Sequence, residues 1–188
     1  MALYNPITGT LYTSLSNGDG TFAYSEQTSA ENAGYTFVGL SDITGDGDAD
    51  LIVYNASNAQ GFVGLSNGDG TFRFQALLWA AGYGAIALGG INGDGKNDVA
   101  LYDSATGTLY TGLSNGNGSF SFTDQTAAEA VGYTFVGLGD CSGNGKADLI
   151  LYNASPNAQS FIGLSNGDGT FQYGAGQFWG AGTILARF

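Results

Sequence analysis

Histidine is absent from this 188-residue chain, and cysteine and methionine occur once each. Without histidine there is no hydrolytic triad, no imidazole general base and no histidine-ligated zinc. The single thiol, Cys141, excludes an internal disulfide. An enzyme would have to work with Asp, Glu and Tyr alone, so a non-enzyme is expected. Positive charge is nearly missing too: Arg73, Lys96, Lys146 and Arg187 face 16 acids, for a net charge of −12. Phosphate backbones and anionic lipid surfaces demand clustered Lys and Arg, which excludes nucleic acid as a partner. No apolar run approaches the roughly 20 residues of a membrane span, so no membrane insertion is expected. Met1-Ala2-Leu3-Tyr4 lacks the charged and apolar regions of a signal peptide. The expectation is a soluble chain with no signal peptide, its compartment left open.

What is present in excess is glycine, at 33 residues, together with 12 Phe and 11 Tyr. Glycine lacks the every-third-residue period of collagen, and disordered linkers lack such aromatics. The chain therefore reads as a turn-dense β protein. Its glycines sit in a repeat: Ser-Asn-Gly-Asp-Gly-Thr-Phe at 16–22, 66–72 and 165–171, with Ser-Asn-Gly-Asn-Gly-Ser-Phe at 114–120. The intervals of 50, 48 and 51 residues are those of a propeller blade rather than a helical solenoid.

Each repeat holds four short apolar runs separated by turn signals, the pattern of a four-stranded meander. They fall at 35–40, 51–54, 61–65 and 71–74, at 85–88, 99–102, 108–113 and 119–122, and at 133–138, 149–152, 160–164 and 170–173. The expected fold is an all-β propeller of four-stranded blades, about four per chain, forming a single domain over 1–188. Blade 2 covers 35–74, blade 3 covers 83–122 and blade 4 covers 133–173. Blade 1 begins at the equivalent of a second strand and spans 3–24. Residues 183–188 resemble the missing first strand and are expected to complete it. Thr8-Gly9-Thr10-Leu11-Tyr12 recurs 98 residues later at 106–110, and Tyr54-Asn55-Ala56-Ser57 recurs at 152–155. The duplicated module is thus a pair of blades. An even ring follows, closed as four blades in one chain or by strand exchange as an eight-bladed homodimer.

Eleven of the 13 Asp lie in Gly-rich turns. Asp42-Ile43-Thr44-Gly45-Asp46-Gly47-Asp48-Ala49-Asp50 places oxygen donors at alternate positions, with Gly where the backbone turns sharply, as calcium loops do. Asp42, Asp46 and Asp50 would give carboxylates, Thr44 a hydroxyl and Asp48 a carbonyl. Calcium suits this set as a structural ion, because its oxygen shell is flexible. Two weaker loops follow. In 90–98 the first carboxylate is replaced by Gly90, leaving Asn92, Asp94 and Asp98. In 140–148 the donors are Asp140, Ser142, Asn144 and Asp148. Each carries a Lys. The competing reading for all three is a turn capped by its own Asp and Asn side chains.

Asp42-x-Thr-Gly-Asp-Gly-x-x-Asp50-Leu, followed by Gly-Leu-Ser-Asn-Gly-Asp-Gly-Thr-Phe, resembles the FG-GAP/VCBS repeats of integrin-like β-propellers. The resemblance covers nearly the whole chain. It implies blades whose first interstrand loop often holds calcium, here best matched by Asp42 to Asp50. Relatives of this kind include integrin α-chain heads, bacterial surface proteins and fungal lectins of the Psathyrella type that bind N-acetylglucosamine. This chain has fewer units than those heads and lectins.

The residue closing each interblade link alternates: Glu31, Trp79, Glu129, Trp179. A flat aromatic beside polar groups suits a sugar, whose axial C–H groups pack on the ring while hydroxyls take directional hydrogen bonds. Nearby polar candidates are Asp103, Asn153, Asn157 and Gln159, with Asn55, Asn58 and Gln60 in blade 2. The alternative is that each Trp only fills the gap between blades. The leading expectation is a non-catalytic, multivalent lectin that binds glycans at blade junctions, with N-acetylglucosamine-type glycans implied by the resemblance. The alternatives are an integrin-like protein-binding module, which predicts a large exposed patch, and a minimal propeller without ligand.

Overall fold

The computed structural model describes residues 1–28, 34–55, 57–79, 83, 85–127, 131–153 and 158–178. Among them the regular structure is entirely β, in four antiparallel sheets. The first contains β1 (Ala2–Asn5), β2 (Thr10–Ser16) and β3 (Phe22–Thr28). The second runs β4 (Thr36–Ser41), β5 (Asp50–Asn55), β6 (Gln60–Ser66) and β7 (Phe72–Leu78) in sequential order. The third repeats that order with β8 (Ala85–Gly89), β9 (Asp98–Asp103), β10 (Thr108–Ser114) and β11 (Phe120–Thr126). The fourth contains β12 (Thr134–Gly139), β13 (Asp148–Asn153), β14 (Gln159–Ser165) and β15 (Phe171–Tyr173), with β16 (Gln177–Phe178) also on β14. These are the four expected blades, and blade 1 has three strands among the described residues. Residues 183–188, expected to complete it, lie outside them.

The hairpins form where the sequence places Gly at positive φ. Gly68 and Gly70 stand at φ 77° and 88°, a region closed to most side chains. Asn67 N–H donates to the Thr71 carbonyl at 3.0 Å, and the Asp69 carboxylate accepts from both the N–H and the hydroxyl of Thr71. The same bonds recur at 17–21 and 166–170, so these motifs are turns rather than metal sites. The fourth strands run further than their apolar stretches: β7 pairs with β6 as far as Leu78, and β11 with β10 as far as Thr126. Only blade 4 breaks this pairing, at Gly174-Ala175-Gly176. A side chain at Gly176 would strike Gln159 and Phe161.

The second strand of blades 2 and 3 is buried on both faces: Leu51, Ile52, Val53 and Tyr54 in β5, and Val99, Ala100, Leu101 and Tyr102 in β9. That explains their unbroken apolar runs. The chain divides into two compact units, Met1–Gly82 with Gly116–Ser119, and Tyr83–Asn115 with Phe120–Phe188. In the first unit, Leu11 of blade 1 packs with Leu51, Val53 and Phe72 of blade 2. In the second, Tyr102 and Leu109 of blade 3 pack with Leu149, Leu151 and Phe171 of blade 4. Burying a side chain of this size contributes about 1.5–3 kcal/mol.

Polar bonds stitch each pair of blades. Gln27 Nε2 donates to the Phe72 carbonyl, and Gln27 Oε1 accepts the Phe72 N–H, both at 2.8 Å. Gln125 holds Phe171 in the same way, again at 2.8 Å twice. Beside them, the Thr13 hydroxyl donates to the Gly70 carbonyl and Thr111 to that of Gly169, each at 2.5 Å. The 98-residue duplication in the sequence is therefore a duplication of one clamped pair.

Candidate functional site

The acidic loops are built around their last residue. Asp50 is 1% exposed, and Asp98 and Asp148 are fully buried. One carboxylate oxygen of Asp50 accepts the N–H groups of Ile43 and Thr44, and the other accepts that of Ser66. Asp98 binds Ile91, Asn92 and Ser114 in this way, and Asp148 binds Cys141, Ser142 and Ser165. Each is thus a staple from the loop to the neighbouring hairpin. Burial raises the Asp98 carboxyl above its ordinary value, opposed by the three N–H donors.

The first carboxylate caps the loop. Asp42 accepts the N–H groups of Gly45, Asp46 and Gly47, and Asp140 those of Gly143, Asn144 and Gly145. These bonds hold Asp140 below the ordinary carboxylate range. Asp46 turns onto the Asp48 N–H, and Asn144 onto that of Lys146. In the 90–98 loop Asp94 is paired with Lys96 at 2.6 Å. Among the described residues no three acidic or thiol side chains come together as a cation cage. The geometry is that of the self-capped turn. The donor set of the 42–50 loop has a different chemistry from its two relatives, with four carboxylates and no Lys.

The blade junctions gather the other predicted polar residues. In the first unit the Tyr4 hydroxyl donates to the Tyr35 carbonyl at 3.2 Å, and Gly34 N–H to that of Pro6 at 2.6 Å. Across this seam the Tyr35 hydroxyl and the Asn58 amide both donate to Gln60 Oε1, at 2.9 and 3.1 Å. Tyr35 meets Phe62 edge-on, with ring centroids 5.4 Å apart. The second unit repeats the arrangement. Gly132 N–H donates to the Ser104 carbonyl, and the Tyr133 hydroxyl donates to Gln159 Oε1 at 2.5 Å. Tyr133 packs on Phe161 at 5.2 Å. Burial raises the Tyr133 phenol, keeping it protonated and a donor. Asn55 and Asn153 stand opposite Gln60 and Gln159 in the strand registers.

Two predicted site residues behave differently. Trp79 is 5% exposed and stacked on Tyr54, with centroids 5.3 Å apart at 27°. Its face meets Tyr54 and Gly61 rather than solvent, so at this position the ring fills the core and the expected platform is not presented. Asp103 accepts the Ala105 N–H and the Thr106 hydroxyl, which lower its pKa and commit it to a turn. Asn157 and Trp179 lie outside the described residues, as do Glu31 and Glu129. Tyr35 and Tyr133 escaped the sequence reading, although each stands at the start of a blade with a Gly before it.

A separate pocket in the first unit is lined by Met1, Leu15, Leu40 and Phe72, with Asp48 and Ser66. In the second unit the corresponding region is occupied by β8, whose Gly89 packs on Leu138 and Ala147. Blade 1 has no described strand there, and β1 pairs only with β2 among the described residues.

Residues 90–151 match the FG-GAP-like repeat family. That span runs from the 90–98 loop of blade 3 into β13 of blade 4. No curated protein matches the chain. Among solved structures it resembles an Agrocybe aegerita lectin, described for specific recognition of non-reducing terminal N-acetylglucosamine. The TM-score is 0.66 at 24% identity, over 93% of this chain and 47% of that one. The chain thus spans about half the length of that lectin, and the likeness establishes the fold. No helix among the described residues is long and apolar enough to cross a membrane.

Proposed function

We propose that the protein is a non-catalytic, carbohydrate-binding lectin with a sugar site at the blade junction of each unit. Tyr35, Asn58 and Gln60 carry the first site, and Tyr133, Asn153 and Gln159 the second. The observation behind this reading is the Tyr–Gln hydrogen bond beside an aromatic ring, which recurs at the same junction in both units. Such a bond fixes a carboxamide so that its N–H groups are held for a ligand oxygen, while the neighbouring ring offers apolar surface to C–H groups. Likeness to a lectin that recognises terminal N-acetylglucosamine supports glycans of that type as ligands. Two equivalent sites on one chain would add avidity on clustered glycans.

Calcium in the 42–50 loop belongs to the same proposal as a structural ion. It is supported by the donor chemistry of Asp42, Thr44, Asp46, Asp48 and Asp50, an all-oxygen set without a local cation. Binding would exchange N–H bonds on Asp42 for metal bonds, which stiffens the loop without using the junction residues.

A glycan array probed with and without chelator tests the function. The expected result is binding to N-acetylglucosamine-terminated glycans, lost in the Gln60→Ala/Gln159→Ala double variant with the β circular-dichroism spectrum retained. Absence of binding by the unmodified protein to every glycan overturns it.

A further inference from the structure

The repeat supplies its own reference for what each position buries. Val63 and Leu65 of β6 are 0% and 9% exposed, whereas their equivalents in β14, Ile162 and Leu164, are 36% and 44% exposed. The same contrast marks the other end of the array. Val99 and Leu101 of β9 are fully buried, whereas their equivalents Met1 and Leu3 are 64% and 58% exposed. Phe22 and Tyr24 of β3 add 42% and 71% exposure on blade 1. Identical places in one repeating unit thus bury their side chains in blades 2 and 3 and leave them open on blades 1 and 4. Apolar strand faces of this kind mark interaction surfaces on soluble proteins.

We propose that these two faces cover one another between two copies of the chain, blade 4 of each copy seated on blade 1 of the other. Three observations choose a second copy as the occupant. The faces are complementary by descent, because the repeat that buries Val63 and Leu65 is the one that carries Ile162 and Leu164. Blade 1 also presents the free edge of β1 beside the pocket formed by Leu15 and Leu40, so its open surface is continuous from face to edge. The chain spans 47% of the structurally similar lectin, so two copies match the length of that longer chain. A two-fold pair uses each face once and leaves neither for further growth, whereas a head-to-tail contact that fails to close would build filaments. The pairing is independent of the sugar sites, which lie at junctions inside each unit.

Light scattering on the size-separated full chain at micromolar concentration tests the pairing. The expected mass is twice the 19.2 kDa of one chain. Leu164→Glu and Leu3→Glu, both at exposed positions, are each expected to halve that mass while the circular-dichroism spectrum stays unchanged. A monomeric unmodified chain overturns the proposal, because the faces would then be open or covered within one copy. A polydisperse ladder overturns the closed pair. A dimer that survives both substitutions overturns these faces as its interface. Should either variant fail to fold, a fall of the unmodified chain to half mass on dilution, with loss of a solvent-shielded 162–164 segment in hydrogen exchange, still decides the matter. Protection of that segment unchanged by dissociation refutes the assignment.

Discussion

Gln27 holds Phe72 by both of its backbone polar groups, donating to the carbonyl and accepting from the N–H, each at 2.8 Å. A carboxamide can do both at once because it carries a donor and an acceptor side by side. Substituting Gln27 by Ala leaves two part-buried backbone groups to find other partners and is expected to destabilise the protein by about 2 kcal/mol. Gln27→Glu keeps the acceptor but sets a carboxylate oxygen against the Phe72 carbonyl, so it should not rescue. Urea unfolding of these variants, and of Gln125→Ala at the equivalent clamp, measures the effect.

The buried staples should be more costly to remove. Asp98 accepts three backbone N–H groups while fully buried, and alanine there strands all of them. A loss of at least about 3 kcal/mol is expected from Asp98→Ala or Asp148→Ala. Asp46→Ala, at an exposed position bonded to one N–H, should cost well under half of that. Denaturation midpoints compared across the three variants give the ranking.

Acid should separate the hairpins. Bonds from the Thr hydroxyls and N–H groups lower the carboxyls of Asp19, Asp69 and Asp168 below the ordinary 3.8. A lowered acid contributes its stabilisation fully above the unfolded pKa and loses it as pH falls through the folded one. These three turns should therefore loosen only below about pH 3.8. The fourth turn uses Asn117, which makes the same bonds to Ser119 and carries no proton to gain. Asp98 runs the opposite way: raised by burial, it favours the fold when protonated and loses that contribution as pH climbs through its folded value. Carboxyl titrations followed by nuclear magnetic resonance should find three Asp below 3.8 and Asp98 above it, with the 115–119 amides indifferent to acid.

Calcium acts through one loop in the proposed reading. Millimolar calcium is expected to raise the melting temperature of the unmodified protein, and Asp46→Asn/Asp48→Asn to abolish the rise. Melting curves unchanged by both calcium and chelator would leave the 42–50 loop as a hydrogen-bonded turn only.

Much of the fold was legible because its signals are local. Gly at 68 and 70 is required by positive φ, and apolar runs at 51–54 and 99–102 announce strands buried on both faces. The outer ends of β7 and β11 were not legible. Their residues are polar or mixed, and they stay in register through long-range bonds such as that from Gln125 to Phe171. Trp79 shows the same limit at the site: whether an indole faces a ligand or a neighbour depends on Tyr54, 25 positions away in the sequence. The Tyr–Gln pairs bridge two strands of one blade, a juxtaposition that no linear motif records.

The glutamine clamps also constrain how such a chain can change in length. Their positions are filled by Leu77 in blade 2 and Gly176 in blade 4, so adjacent blades are not interchangeable. Losing or gaining one blade would set a clamp-bearing strand beside the wrong neighbour, or leave a Phe backbone with nothing to hold it. Duplication and deletion within this lineage should therefore be tolerated two blades at a time, making the 98-residue pair the unit of inheritance as well as of packing.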